Sequence, residues 1–227
     1  MTLERRFIEP LVQESTPSII ADKLRQAISH GELQAGQQLG EADLARELGV
    51  SRGPLREGMQ RLTQEGLLVS IRNRGLFVIE MTPENVRDMY VARSAVERAA
   101  AAQIFRHDPA DAGARLLGAT ERMAEAAARQ DSNAVSEADI EFHQMLASLA
   151  RSPRLSRIHN TLLTETRMCI HALEETYRFS DERVAEHRGI AEAFTTSDSA
   201  LVDQLLVAHM DDGVVRLIQT RSAAEPA

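Results

Sequence analysis

From Ser18 the apolar positions Ile19, Ile20, Leu24, Ala27 and Ile28 recur at helical intervals. They predict a helix that Gly31 ends. The polar residues before it, 1–17, close on Ser15-Thr16-Pro17 and read as a loose arm. Gly36 and Gly40 bracket a short connector. A second helix is predicted from about Glu41 to Leu48, with Leu44, Ala45 and Leu48 inward and Gly49 as its stop. Ser51 is the expected N-cap of a third helix reaching about Gln64, with Pro54 in its first turn, where a missing N–H costs little. The period then changes. Leu67 to Ile71 and Leu76 to Ile79 are β-prone runs around Arg72-Asn73-Arg74-Gly75, the pattern of a hairpin.

Beyond Thr82-Pro83 every stretch has helical periodicity. Helices are predicted at about 83–106, 108–129, 133–150, 154–178, 180–195 and 198–220. Pro109, Ser132, Pro153, Ser180 and Ser197-Asp198 punctuate them, and Ser222 to Ala227 is expected to fray. The expected fold is therefore mainly α. Residues 1–80 form a winged helix-turn-helix of three helices and a β-hairpin. Residues 83–221 form an all-α antiparallel bundle of about six helices.

Composition agrees. Hydrophobic residues are 43% of the 227, but aromatics are 4% and Trp is absent. The core must be built from aliphatic residues, which favours helices. A net charge of −8 argues by itself against nucleic acid. Its distribution argues otherwise. Between residues 51 and 75 five arginines face only Glu57 and Glu65, a local charge of +3 on an acidic body. Cys169 is the only cysteine, so no intrachain disulfide can form. No run approaches the ~18 apolar residues of a membrane span, and Met1 to Pro10 carries charges where a signal peptide needs an apolar run. A cytoplasmic protein without a membrane partner is expected.

In a helix-turn-helix the N-terminal end of the second helix enters the major groove. Here that end is Ser51-Arg52-Gly53-Pro54-Leu55-Arg56-Glu57. Arg52 and Arg56 are four apart and share a face, while Leu55, Met59 and Leu62 form the opposite stripe. An arginine can bond a guanine edge twice or clamp a phosphate. At the hairpin tip, Arg72 or Arg74 can enter a minor groove, and Gly75 lets backbone approach a phosphate.

The run from Leu44 to Leu68 closely resembles the GntR family signature: Gly49-Val-Ser-Arg52, then Pro54-Leu-Arg-Glu57, then Leu62-Thr-Gln-Glu-Gly-Leu67. The wing around Arg72 to Val78 also matches. The resemblance covers the first 80 residues and implies a double-stranded DNA operator. It adds Arg46 and Arg61 to the DNA-facing set of Ser51, Arg52, Pro54, Arg56, Arg72, Arg74 and Gly75. Two positions depart from the pattern. Ala42 stands where many members carry a DNA-contacting Arg, and Gly58 stands where Ala is usual. The glycine should weaken its helix by ~1 kcal/mol.

Three of the seven histidines share inward faces with apolar residues. Asp139 precedes His143 by four; His187 lies with Val184, Ala191 and Phe194; His209 lies with Val202, Leu205 and Leu217. Imidazoles plus a carboxylate suit Zn, Ni, Co, Mn or Fe(II), although lone inward histidines are usually satisfied core residues. Residues 83–220 resemble the FCD sensor domain of the FadR subfamily, on Arg93-Ser-Ala-Val-Glu97, Asp139-Ile-Glu-Phe-His143, Glu186-His187 and Ala208-His209. The resemblance implies that Asp139, His143, His187 and His209 ligate a divalent metal. It also implies a small organic-acid effector against that metal, with Arg93 and Arg167 as candidate counter-charges or, equally, as salt-bridge partners.

The expected function is a homodimeric, effector-controlled DNA-binding regulator. A metal sensor, in which occupancy itself is the signal, is the alternative. A bundle metalloenzyme is disfavoured, because no histidine has Glu three residues before it and there is no His-Glu-x-x-His. An architectural DNA-binding protein would need no sensor pocket.

Overall fold

The computed structural model describes residues 14–171 and 180–224. The first helix, α1, spans Thr16–Ser29, two residues earlier than the apolar pattern suggests, because Ser15 caps it and Pro17 sits in its first turn. Residues 1–13 of the predicted arm lie outside the described residues. Helices α2 (Glu41–Glu47) and α3 (Arg52–Gln64) follow as expected, with Gly49 at φ 65° in the turn between them. Ser51 holds the N-cap position of α3, but its side chain makes no capping hydrogen bond.

Strands β2 (Leu68–Ile71) and β3 (Gly75–Val78) form the predicted hairpin. Asn73 turns it at φ 63°, a conformation asparagine tolerates well. The connector read between Gly36 and Gly40 is in fact a third strand, β1 (Gln38–Leu39), antiparallel to β3 with Gln38 opposite Phe77. The sheet order is β1-β3-β2.

The remaining helices are α4 (Pro83–Ile104), α5 (Pro109–Ala128), α6 (Ser132–Leu149), α7 (Pro153–His171), α8 (Ser180–Thr195) and α9 (Ser199–Ala224). Residues 172–179, the end of the predicted helix 154–178, lie outside the described residues. Helix α9 runs past Ser222, where fraying was expected. Side chains of Thr82, Asp108 and Asp131 cap α4, α5 and α6 by accepting from the backbone N–H three residues on.

In the bundle α5 packs on α6 and α8, and α4 packs on α6, α7 and α9. Gly113 permits the close approach of α5 to α8: a Cβ there would stand 2.5 Å from the backbone nitrogen of Thr195. Helix α7 also packs on α1, and one apolar cluster joins Ile20, Leu24 and Ile28 of α1 to Leu162 and Leu163 of α7.

Gly58 has a different role from the one expected. It is buried on α3, and a Cβ would meet Ile20 Cγ2 at 2.9 Å and the Pro17 carbonyl at 3.1 Å. It is the contact through which α3 lies close on α1.

Candidate functional site

Asp139 and His143 lie on the buried face of α6, one helical turn apart. His187 comes from α8 and His209 from α9, and all four side chains are buried. The three imidazoles converge. His143 Nε2 is 3.1 Å from His187 Nε2 and 3.0 Å from His209 Nε2. Asp139 Oδ1 is 3.2 Å from His187 Nε2. Phe142 stands edge-on to His187, with ring centroids 4.8 Å apart, and forms an apolar wall.

The outer nitrogens decide the chemistry. His143 Nδ1 is 2.8 Å from Glu97 Oε2, His187 Nδ1 is 2.7 Å from the Arg183 carbonyl, and His209 Nδ1 is 3.0 Å from Glu186 Oε2. Carboxylates and carbonyls only accept, so each Nδ1 must carry the proton and donate it. Each Nε2 is then a bare lone pair, and the three lone pairs face one another beside a carboxylate. That arrangement repels itself unless a cation sits among them.

The spacing fits one. Ligand atoms about 2.1 Å from a single ion stand roughly 3.0 to 3.4 Å apart as the angle opens from square to tetrahedral. The donor set is three imidazoles and one carboxylate, which suits first-row divalent metals. Nδ1–H held by carboxylate or carbonyl is also the usual outer support of ligating histidines.

Charge is arranged to keep the donors ready. Burial and the Arg93 charge push the His143 imidazolium down to about 3, so the ring is neutral at physiological pH. Burial likewise lowers His209. Burial alone would raise Asp139, but the Arg183 guanidinium beside it holds it well below the usual carboxylate range. Arg183 is 3.1 Å from Asp139 Oδ1 and reaches Ser136 on α6.

Neither predicted counter-charge is a freely presented cation. Arg93 is buried, and its Nε donates to Glu97 Oε1 at 2.8 Å. Its Nη2, also buried, has no hydrogen-bond partner among the described residues. Glu97 accepts from His143 through its other oxygen, so Arg93 lies one carboxylate away from that ring. Arg167 is elsewhere. It pairs with Glu137 and lines a cleft with Ser29, His30 and Ile140, between α1 and the bundle.

Sequence reasoning left several participants unassigned. Glu97 and Glu186 stood within the quoted motifs without a role. His159, not among the three inward histidines read from the sequence, donates from Nε2 to Glu97 Oε1 at 2.9 Å. The i, i+4 spacing of Arg93 and Glu97 was a usable signal. For His159 there was none.

On the other part of the chain, Ser51, Arg52 and Arg56 are exposed at the start of α3, and Arg72, Arg74 and Gly75 are exposed at the hairpin tip. Pro54 is half-buried beside them. Arg56 pairs with Glu41 at 2.6 Å, and Arg46 with Asp43 at 2.6 Å, all at the surface. The Arg74 guanidinium lies over the Phe77 ring. Arg61 stands apart near the end of α3, where it donates to Ser18 Oγ of α1 at 2.6 Å.

Known proteins match both parts. Residues 18–78 fit the model of the bacterial regulatory proteins of the gntR family, and residues 88–212 fit the FCD domain. An uncharacterized HTH-type transcriptional regulator in the TAR-I ttuE-ttuC' intergenic region of Agrobacterium vitis is 34% identical over 157 residues, which is 64% of this chain and 92% of that one. The gluconate operon transcriptional repressor of Bacillus subtilis is 26% identical over 207 residues, covering 89% and 85% of the two chains. A solved structure from Rhodococcus sp. RHA1, described as a transcriptional regulator GntR, superposes with a TM-score of 0.75 at 30% identity, covering 94% of this chain and 100% of that one. A winged helix-turn-helix with its arginines outward, followed by a helical FCD domain, makes this chain a member of the GntR family and a DNA-binding transcription regulator.

Proposed function

We propose that the chain is a homodimeric regulator whose operator affinity is set by a small organic acid. The acid binds at a divalent metal held by Asp139, His143, His187 and His209. The observation that carries this reading is the set of three Nε2 lone pairs, each fixed inward by an acceptor on its own Nδ1. The metal would supply a Lewis-acidic point for an oxyanion in the buried interior of the bundle. The chain's own residues do the rest. Asp139 and the imidazoles hold the ion, Phe142 keeps one side dry, and the unpartnered Nη2 of Arg93 offers a buried donor for a carboxylate. The gluconate-operon relative is consistent with a hydroxy-acid type of effector. Three helices meet at the centre, so a ligand that completes it can shift their packing.

Metal analysis of purified protein, chelator-treated protein and the His143→Ala/His187→Ala variant tests the site. The expected result is about one divalent ion per chain, lost in the variant along with any stabilisation by organic acids, while operator binding survives. Full metal content in the variant would overturn the assignment. If metal alone changes operator affinity and no organic acid adds to it, metal occupancy is itself the signal.

A further inference from the structure

The histidine cluster is enclosed by several polar side chains, and most of their connections close on the helices that carry the ligands. His187 Nδ1 bonds a carbonyl of its own helix. His209 bonds Glu186 on α8, which Arg216 of α9 also holds. Asp139 pairs with Arg183 on α8, which returns to Ser136 on α6.

One path leads out to α4 and α7. It runs from His143 to Glu97 Oε2 on α4 at 2.8 Å, and from Glu97 Oε1 to His159 Nε2 on α7 at 2.9 Å. These three side chains have no exposed surface at all. His159 Nδ1 has no partner among the described residues, so the bond to Glu97 is the polar tether of that ring there. Helix α7 is the bundle helix that packs on α1, through Leu162 and Leu163, three and four residues past His159.

We propose that His159 is the coupling residue of this regulator: through Glu97 it ties the position of His143 to α7, and so to α1 beneath the recognition helix. The inference rests on the reading of His143 as a metal ligand. Glu97 accepts three buried hydrogen bonds, from Arg93 Nε and His159 Nε2 at Oε1 and from His143 Nδ1 at Oε2. A buried carboxylate that loses a donor incurs its desolvation cost, so Glu97 follows His143, and His159 follows Glu97. Helix displacements of ~1–2 Å are enough to repack an interface of this kind. Apolar contacts can slide, whereas a single buried tether cannot, which makes His159 the place where the coupling can be cut.

The test uses the full chain, stripped by chelator and titrated with Zn2+, with affinity and peptide-resolved hydrogen exchange as readouts. In wild type, Zn2+ should slow exchange in α6, α7 and α1 by about fivefold or more, the lower end of ordinary coupling between sites. His159→Leu should bind Zn2+ within about threefold of wild type, short of the 10–100-fold loss on removing a direct support of a ligand. It should keep the response of α6 and lose that of α1. His159→Gln, whose amide N–H can replace the imidazole donor, should restore it. His159→Asn, too short to reach Glu97, should behave as the leucine variant does, so the test stands if His159→Leu does not fold. An undiminished α1 response in the leucine or asparagine variant overturns the proposal and routes the signal through α4. Failure of His159→Gln to restore the response also overturns it. A wild type that takes up no Zn2+ removes the metal reading itself, which is seen before any variant is made.

Discussion

Glu165 of α7 is part-buried, and that burial, with the like charge of Asp88 on α4, pushes its carboxyl up to about 7. The folded state therefore binds this proton more tightly than the unfolded chain, whose Glu titrates near 4.5. The stabilisation is complete below the unfolded value and fades as pH rises through 7. Glu165→Gln should leave stability near pH 4 almost unchanged and raise it near pH 8, on the order of 2 kcal/mol after allowing for solvent screening at this site. Urea denaturation across that range checks it; a variant with the wild-type pH slope would count against the assignment. Gly58 gives a second residue-scale expectation. Helix propensity alone says that Gly58→Ala stabilises by ~1 kcal/mol. The 2.9 Å approach to Ile20 and the 3.1 Å approach to a backbone carbonyl say the reverse. Overpacking of this kind costs about 1–3 kcal/mol, so the variant should melt lower. A higher Tm would show that α1 yields. Sequence made Asp139 and His143 legible as a pair, because four residues on one helix must share a face. It could not reveal that Glu97 meets His159, 62 positions away. Periodicity says that both point inward; the packing of α4 on α7 decides that they touch.

At the scale of elements, the helices were legible because their ends are written locally. Thr82, Asp108 and Asp131 cap, and Pro83 and Pro109 start the first turn; Ser15 and Pro17 do the same for α1, although the apolar pattern alone began that helix at Ser18. β1 was not, because two residues carry no period of their own and are a strand only through pairing with Leu76 and Phe77. The recognition surface was legible as a face but not as a set of equal contacts. Arg52 and Arg56 project from the start of α3, whereas Arg61 braces the far end of that helix on Ser18. The Arg56–Glu41 pair is exposed, and such pairs contribute little, so it can open for DNA. Arg52→Ala and Arg56→Ala should each cost about 1–3 kcal/mol of operator binding per half-site. Arg61→Ala should act mainly on stability. Fluorescence anisotropy on operator and on random DNA separates the two kinds of role. Equal weakening on both DNAs means phosphate contact, and unchanged operator binding in the Arg52/Arg56 double variant removes the reading.

At the scale of the whole molecule the question is what makes one small reading head selective. The start of α3 and one hairpin tip span only a few base pairs, and an acidic body disfavours non-specific association. Two heads on a two-fold axis solve this, since a symmetric protein reads a pseudo-palindrome and the second head binds at high effective concentration. The surface offers a place for the partner: Val91 of α4, and Leu201 and Val215 of α9, are large apolar side chains left 69%, 39% and 49% exposed, on two helices that pack together. A second copy covering them would remove three of the bundle's large exposed apolar side chains from water. The chain should therefore sediment as a dimer at micromolar concentration and protect two half-sites about one helical turn apart, or a multiple of that spacing. Val91→Asp combined with Val215→Asp should shift it towards monomer, because burying two new carboxylates in an apolar contact is costly. Operator affinity should then fall by roughly 10²–10⁴-fold, the avidity that a second linked site supplies, while the fold seen by circular dichroism is retained. A wild-type monomer with undiminished operator affinity would defeat the dimer, and a doubly substituted chain that stays dimeric would move its interface away from α4 and α9.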